Sequence, residues 1–221
     1  MKRFAVVSLL AVTVLAALPI PSGHGAGKPA IVKLTKPDVT LEITFEDGRK
    51  LVVTPKGAPL NAGTYWVKSV SLFKKDKDGR TWELRGVGNL GNMEVVIVDE
   101  GQEKILDMGP PIGFYAGAGQ DKNKLDTLGI RLNVVGRYGE GYLPEAFLDG
   151  RRQEPPAFRI VSADGKTVFA DRFPGTSTNS ASYAWKMPRG LAGKFKLEIK
   201  PEIGPFEWAT NAGEFEIEQV P

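Results

Sequence analysis

The side chains best equipped for chemistry in this chain are carboxylates and aromatics, because cysteine is absent and the single histidine is His24. Thiol nucleophiles, Cys/His zinc sites and Ser-His-Asp triads all need groups that are missing beyond residue 24. Carboxylate acid/base work, lysine or tyrosine chemistry and calcium held by oxygen ligands remain open. Gly86-Val87-Gly88-Asn89-Leu90-Gly91 matches the dinucleotide fingerprint G-x-G-x-x-G. That motif holds a pyrophosphate only where it joins a strand to a helix N-terminus. Met93 to Val98 follows here, a strand by composition, so the segment reads as a glycine-rich turn or bulge. No cofactor is expected.

Asp76-x-Asp78-Gly79, with Glu83 further on, has the opening spacing of a calcium loop. A complete loop needs more oxygen ligands and a bidentate Glu at its twelfth position. Glu83 stands at the eighth and Arg80 intrudes, so a hairpin turn with Gly79 at positive φ is the better reading. Asp121, Asn123 and Asp126 read as a solvated loop. No metal site is expected. Glycoside hydrolysis requires two acids about 5–10 Å apart in a cleft, and no pair can be placed from the sequence. The acids of Glu214-Phe215-Glu216-Ile217-Glu218 alternate too regularly for a buried, shifted site. No catalytic residue is assigned, and the chain is expected not to be an enzyme, a carboxylate hydrolase being the least favoured alternative.

Four tryptophans raise carbohydrate binding, since sugar rings stack on flat aromatic faces. Trp185 shares strand parity with Tyr183 and Met187, and Trp208 with Phe206, so both are expected in cores. Trp66 has the opposite parity to Tyr65 and Val67 and lies near Lys68. Packing is the commoner fate of such a ring, and partial exposure is the alternative.

Period-two alternation supplies the elements that must position these groups. Val39 to Phe45 and Lys50 to Thr54 flank the turn Glu46-Asp47-Gly48-Arg49. Tyr65 to Phe73 and Thr81 to Arg85 flank a second turn. Met93 to Val98 and Lys104 to Met108 complete the first half. Gly109-Pro110-Pro111 interrupts the pattern, because proline cannot donate to a ladder, and the domain boundary is placed there. Strands are then expected at 112–116, 128–134, 158–161, 167–170, 183–187, 195–199 and 215–217. The basic outer face of Lys194 to Lys200 and the acidic one of Glu214 to Glu218 mark these two strands as antiparallel partners. Leu143 to Leu148 is the one place where a single helical turn is expected.

Lys2 and Arg3 precede an apolar run from Phe4 to Leu18 and a small-residue exit, the pattern of a secretory signal peptide over residues 1–26. Gly23 and Gly25 favour cleavage after Gly25, with Ala26 and Gly27 as competitors. The run is shorter than the roughly 20 residues of a spanning helix. Loss of Lys2 and Arg3 from the 29 basic residues leaves 27 against 26 acidic, a net charge of +1. These charges alternate along the chain without forming a basic face, so no nucleic-acid partner is expected, and no membrane partner after cleavage.

The phrase Leu60-Asn61-Ala62-Gly63-Thr64-Tyr65-Trp66-Val67 resembles the "L-x-A-G-T-Y-x-V" signature of transthyretin-like, carboxypeptidase-regulatory-type modules of secreted bacterial proteins. The second half resembles the immunoglobulin-like modules of similar proteins. These resemblances imply a fold and an extracellular setting, and bring no catalytic residues. The fold expectation is all-β: two consecutive antiparallel β-sandwich domains, residues 30–108 (or a small barrel) and residues 109–221, the second immunoglobulin-like. The function expectation is a secreted or periplasmic structural or interaction module of the bacterial envelope, with a protein or glycan partner. The alternative is a glycan- or small-ligand-binding module using Trp66 and the loop Gly136 to Arg152.

Overall fold

A computed structural model describes residues 27–36, 38–87 and 90–219. The expected signal peptide lies outside the described residues. The first half forms β1 (Ala30–Leu34), β2 (Thr40–Phe45), β3 (Lys50–Val53), β4 (Ala58–Leu60), β5 (Gly63–Lys75), β6 (Thr81–Arg85), β7 (Val95–Val98) and β8 (Glu103–Leu106). The second half forms β9 (Ile112–Asp121), β10 (Lys124–Val135), β11 (Phe147–Leu148), β12 (Arg151–Arg152), β13 (Ala157–Ser162), β14 (Thr167–Arg172), β15 (Ser180–Lys186), β16 (Gly193–Lys200), β17 (Trp208–Ala212) and β18 (Glu214–Ile217). The only helical element among the described residues is one 3-10 turn, Gly91–Met93. The protein is all-β.

Alternation decides which side of each strand is buried. In β2, Leu41, Ile43 and Phe45 are buried between half-exposed Thr40, Glu42 and Thr44. The long β5 carries β2 along one edge, and β6 and β7 in succession along the other. A second sheet, β4-β1-β8, turns Ala30, Val32 and Leu106 inward. In the second half the sheets are β15-β10-β9-β17 and β14-β13-β16-β18. Phe158 on β13 meets Tyr183 on β15 edge-on, with centroids 5.1 Å apart, so these two sheets pack face to face.

β16 and β18 pair as their charges predict. Lys194 stands opposite Glu216 and Lys196 opposite Glu214. Gly213 separates β17 from β18, and the chain changes sheet there.

The boundary at Gly109 is not a break in hydrogen bonding. β11 pairs with β6, Phe147 opposite Glu83 and Leu148 opposite Trp82, so a hairpin from the second half extends a sheet of the first. Leu143 N–H donates to the Arg85 carbonyl at 2.9 Å and Asp149 N–H to the Thr81 carbonyl at 2.8 Å. The Arg85 guanidinium lies 3.6 Å from the Phe147 ring centroid. The expected helical turn at Leu143–Leu148 does not form: this stretch runs alongside β6, whose open edge satisfies its backbone better than one isolated turn. One continuous hydrophobic core contains residues of both halves.

Candidate interaction site

The described residues of the glycine motif are taken up by backbone pairing and close packing. Gly86 N–H donates to the Val70 carbonyl and Val87 N–H to the Gly141 carbonyl, each within 2.9 Å. A Cβ on Gly86 would strike the Val70 side chain, so close packing explains the glycine. Gly88 and Asn89 lie outside the described residues. Gly91 opens the single 3-10 turn, and β7 follows in place of a helix.

The acidic turn is filled by its own donors. Asp76 Oδ1 accepts the N–H groups of Asp78 and Arg80, and Oδ2 accepts the Trp82 indole N–H at 3.0 Å and Arg80 Nε at 2.9 Å. These bonds, the indole's first, hold the carboxyl down to about 2. Glu83 accepts Ser71 Oγ and pairs with Arg85 at 2.9 Å. Asp121 accepts the Asn123 N–H at 2.8 Å in the β9–β10 hairpin, and Asp126 lies 3.7 Å from Lys186. No group of three or more acidic or histidine side chains able to hold a metal is present among the described residues.

The loop Gly136 to Arg152 is exposed at Arg137, Gly139 and residues 149–152 and closed in its middle. Residues 140–147 are buried, and two carboxylates are sealed with them. Glu140 Oε1 accepts the Gly109 N–H at 3.0 Å and the Tyr142 hydroxyl at 2.9 Å, and Oε2 accepts the Tyr138 N–H at 2.8 Å. Burial nevertheless pushes the Glu140 carboxyl up, because desolvation outweighs the three donors. Burial and the adjoining carboxylate push the Tyr142 hydroxyl well up. Glu145 Oε1 accepts Arg152 and the Thr176 N–H. These groups tie loops together, a role the loop's sequence did not announce. The alternation of polar and apolar residues that would have flagged burial is absent from Gly136-Arg137-Tyr138-Gly139-Glu140-Gly141.

The tryptophans divide by environment. Trp185 is buried and stacks on Phe169. Trp82 is half-buried, with the Gly204 backbone against its ring. Trp208, expected in the core beside buried Phe206, is 46% exposed. The chain is not yet a strand at Phe206, so parity does not carry across Glu207 to the first residue of β17, an outer strand of its sheet.

Trp66 is 61% exposed, while its neighbours Tyr65 and Val67 are buried. Tyr65 is fixed by its hydroxyl on the Asn61 carbonyl at 2.7 Å, by Phe45 at a centroid distance of 5.0 Å, and by Arg49 over its ring. That anchoring points Trp66 outward by strand alternation. On the same face, β7 sets Val95 opposite Trp66 and Ile97 opposite Thr64. Ile97 is 56% exposed. A cleft of about 140 Å³ lined by Glu46, Asp47, Arg49 and Thr64 adjoins the indole. Trp66, Val95 and Ile97 thus form an apolar strip on one rim of the first half.

The fold and this strip define an all-β protein with an aromatic-bearing, solvent-facing sheet rim. No protein-family model matches the chain, and no curated protein matches it. Among solved structures it is similar to a tetra-tandem repeat in the extending region of a large adhesion protein, at 11% identity and a TM-score of 0.35 over 87% of this chain and 50% of that one. It is also similar to the Bacillus anthracis TIE protein, at 15% identity and a TM-score of 0.24 over 88% of this chain and 32% of that one. The chain spans half or less of each of these structures.

Proposed function

We propose that this protein is a non-enzymatic interaction module of the bacterial cell envelope, exported by its N-terminal segment. The exposed Trp66 strip carries this reading. A large aromatic held outward by a rigid neighbour, beside further exposed aliphatic carbon, is the composition of interface hot spots. Of the two fully buried carboxylates, Glu140 has both oxygens engaged by the Gly109 and Tyr138 N–H groups and the Tyr142 hydroxyl, while Glu145 is held through Oε1 by Arg152 and the Thr176 N–H and keeps Oε2 buried without a partner among the described residues. The strand orders β15-β10-β9-β17 and β14-β13-β16-β18 support an immunoglobulin-like reading of the second half. The test is photocrosslinking in the exporting bacterium, with a benzophenone amino acid at position 66 or, as control, at exposed position 131. Discrete adducts from position 66 alone are expected. Absence of adducts at 66, with the protein exported and folded, overturns the reading.

A further inference from the structure

The strip ends at a sheet edge, β7, one side of which has no strand partner among the described residues. Val67 N–H donates to the Glu94 carbonyl at 2.9 Å, and Tyr65 stands opposite Val96 and Gly63 opposite Val98. The backbone groups of an antiparallel strand alternate sides, so those of Glu94, Val96 and Val98 face β5. The N–H and C=O groups of Val95 and Ile97 face the other way. Among the described residues β7 pairs with β5 alone. Val96 and Val98 fill the core, which fixes the strand and leaves Val95 and Ile97 on the Trp66 face.

An open, four-residue Val-Val-Ile-Val edge is a template for another strand. Its charges select which. Glu94 precedes it and Asp99 and Glu100 follow it; among the described residues Glu94 and Asp99 have no ion-pair partner, and Glu100 accepts the Lys28 backbone N–H at 3.1 Å. Antiparallel pairing of two copies about Ile97 would set Glu94 of one opposite Glu100 of the other. Parallel pairing would stack each carboxylate on its counterpart. Like charges opposed across a ladder are destabilising, which disfavours a second copy.

Resting on the interaction reading above, we infer that β7 takes up an extended peptide segment of a partner protein, with apolar residues at alternate positions and Lys or Arg at both ends. The partner's backbone bonds to Val95 and Ile97. Its apolar side chains cover Ile97, Val95 and the near edge of Trp66, and its end charges meet Glu94 and Asp99.

The test uses the mature chain and a synthetic peptide, Lys-Lys-Val-Thr-Val-Thr-Val-Lys-Lys, in fluorescence titrations. Ile97→Pro removes an outward N–H and no native ladder bond, so folding survives while peptide affinity falls roughly tenfold or more. A peptide N-methylated at alternate residues should fail to bind, and one with Glu in place of Lys should bind at least roughly tenfold more weakly at low salt. Circular dichroism confirms that the Ile97→Pro protein is folded. Should that variant unfold, Ile97→Lys, which keeps the backbone, replaces it and must also weaken binding. Peptide binding unchanged by both variants overturns the proposal. So does saccharide binding that needs Trp66 but tolerates Ile97→Pro, or a dimer that Ile97→Pro dissolves. Crosslinks from position 66 without peptide binding refute the β7 docking mode alone; loss of both refutes the interaction reading as well.

Discussion

Trp185 lies nearly flat on Phe169, with ring centroids 4.6 Å apart and planes 14° from parallel. The two rings belong to opposite sheets of the second half, so the stack spans its core. Trp185→Ala should cost about 3–5 kcal/mol, the usual loss for a large buried aromatic. Trp66→Ala, on the exposed face, should stay within about 0.5 kcal/mol. Urea melts of the two variants give the ranking, and the reverse order would show that the two strand faces are assigned wrongly.

Glu140 makes stability depend on pH. Its folded pKa is raised above 4.5, chiefly by burial. Between 4.5 and the raised value the unfolded chain releases a proton that the folded chain keeps. The Glu140 contribution is therefore full below 4.5 and is lost as pH rises through the folded value. Glu140→Gln removes that dependence and sets an NH2 group against one of three donors, at a cost of about 1–3 kcal/mol. The gap between wild type and variant should shrink as pH rises from 4 to 8, as read in denaturant melts. A gap that widens refutes the assignment.

Asp76 acts in the opposite direction. Its carboxyl is lowered from 3.8 to about 2, first by the Trp82 indole. Its stabilisation is present above 3.8 and is lost as pH falls toward 2. Asp76→Ala should lower the melting temperature at pH 7 and make little difference near pH 2. Because its oxygens are already taken, millimolar calcium and EDTA should give superimposable wild-type melts. A calcium-dependent rise of several degrees that vanishes in Asp76→Ala would restore the metal reading.

Residues 109–221 expressed alone retain every strand of their two four-stranded sheets, and should show β-type circular dichroism with a cooperative melt. They lose β6 as a partner. In hydrogen exchange, the amides of Leu143 and Asp149 should be protected in the whole chain, where they donate to Arg85 and Thr81. In the fragment both should exchange rapidly. Equal protection in the two forms would mean that the hairpin holds its shape without the first half.

Much of the strand layout was legible in the sequence, because period-two alternation in segments such as Leu41-Glu42-Ile43 and Phe195-Lys196-Leu197 reports directly on a half-buried sheet. The Lys194 and Glu216 pairing was legible for the same reason, since opposed charges mark a register. The β6–β11 junction was not. Phe147-Leu148 is too short to show a period, and its partner lies more than sixty residues earlier, a separation no local pattern records. Trp208 shows the limit of parity, which holds only while the chain stays a strand. Trp66 could be placed on its face, but whether something covers that face depends on neighbours distant in sequence.

The hairpin of β11 and β12 also has a mechanical meaning. Two globular units on a plain linker swivel freely, and a load applied to one is dissipated at the joint. Here a swivel would have to break the Leu143–Arg85 and Asp149–Thr81 backbone bonds and lift Phe147 from under a guanidinium. Bending therefore meets a ladder in shear. The bonds at this junction hold the rim bearing Trp66 at a set angle to the second half.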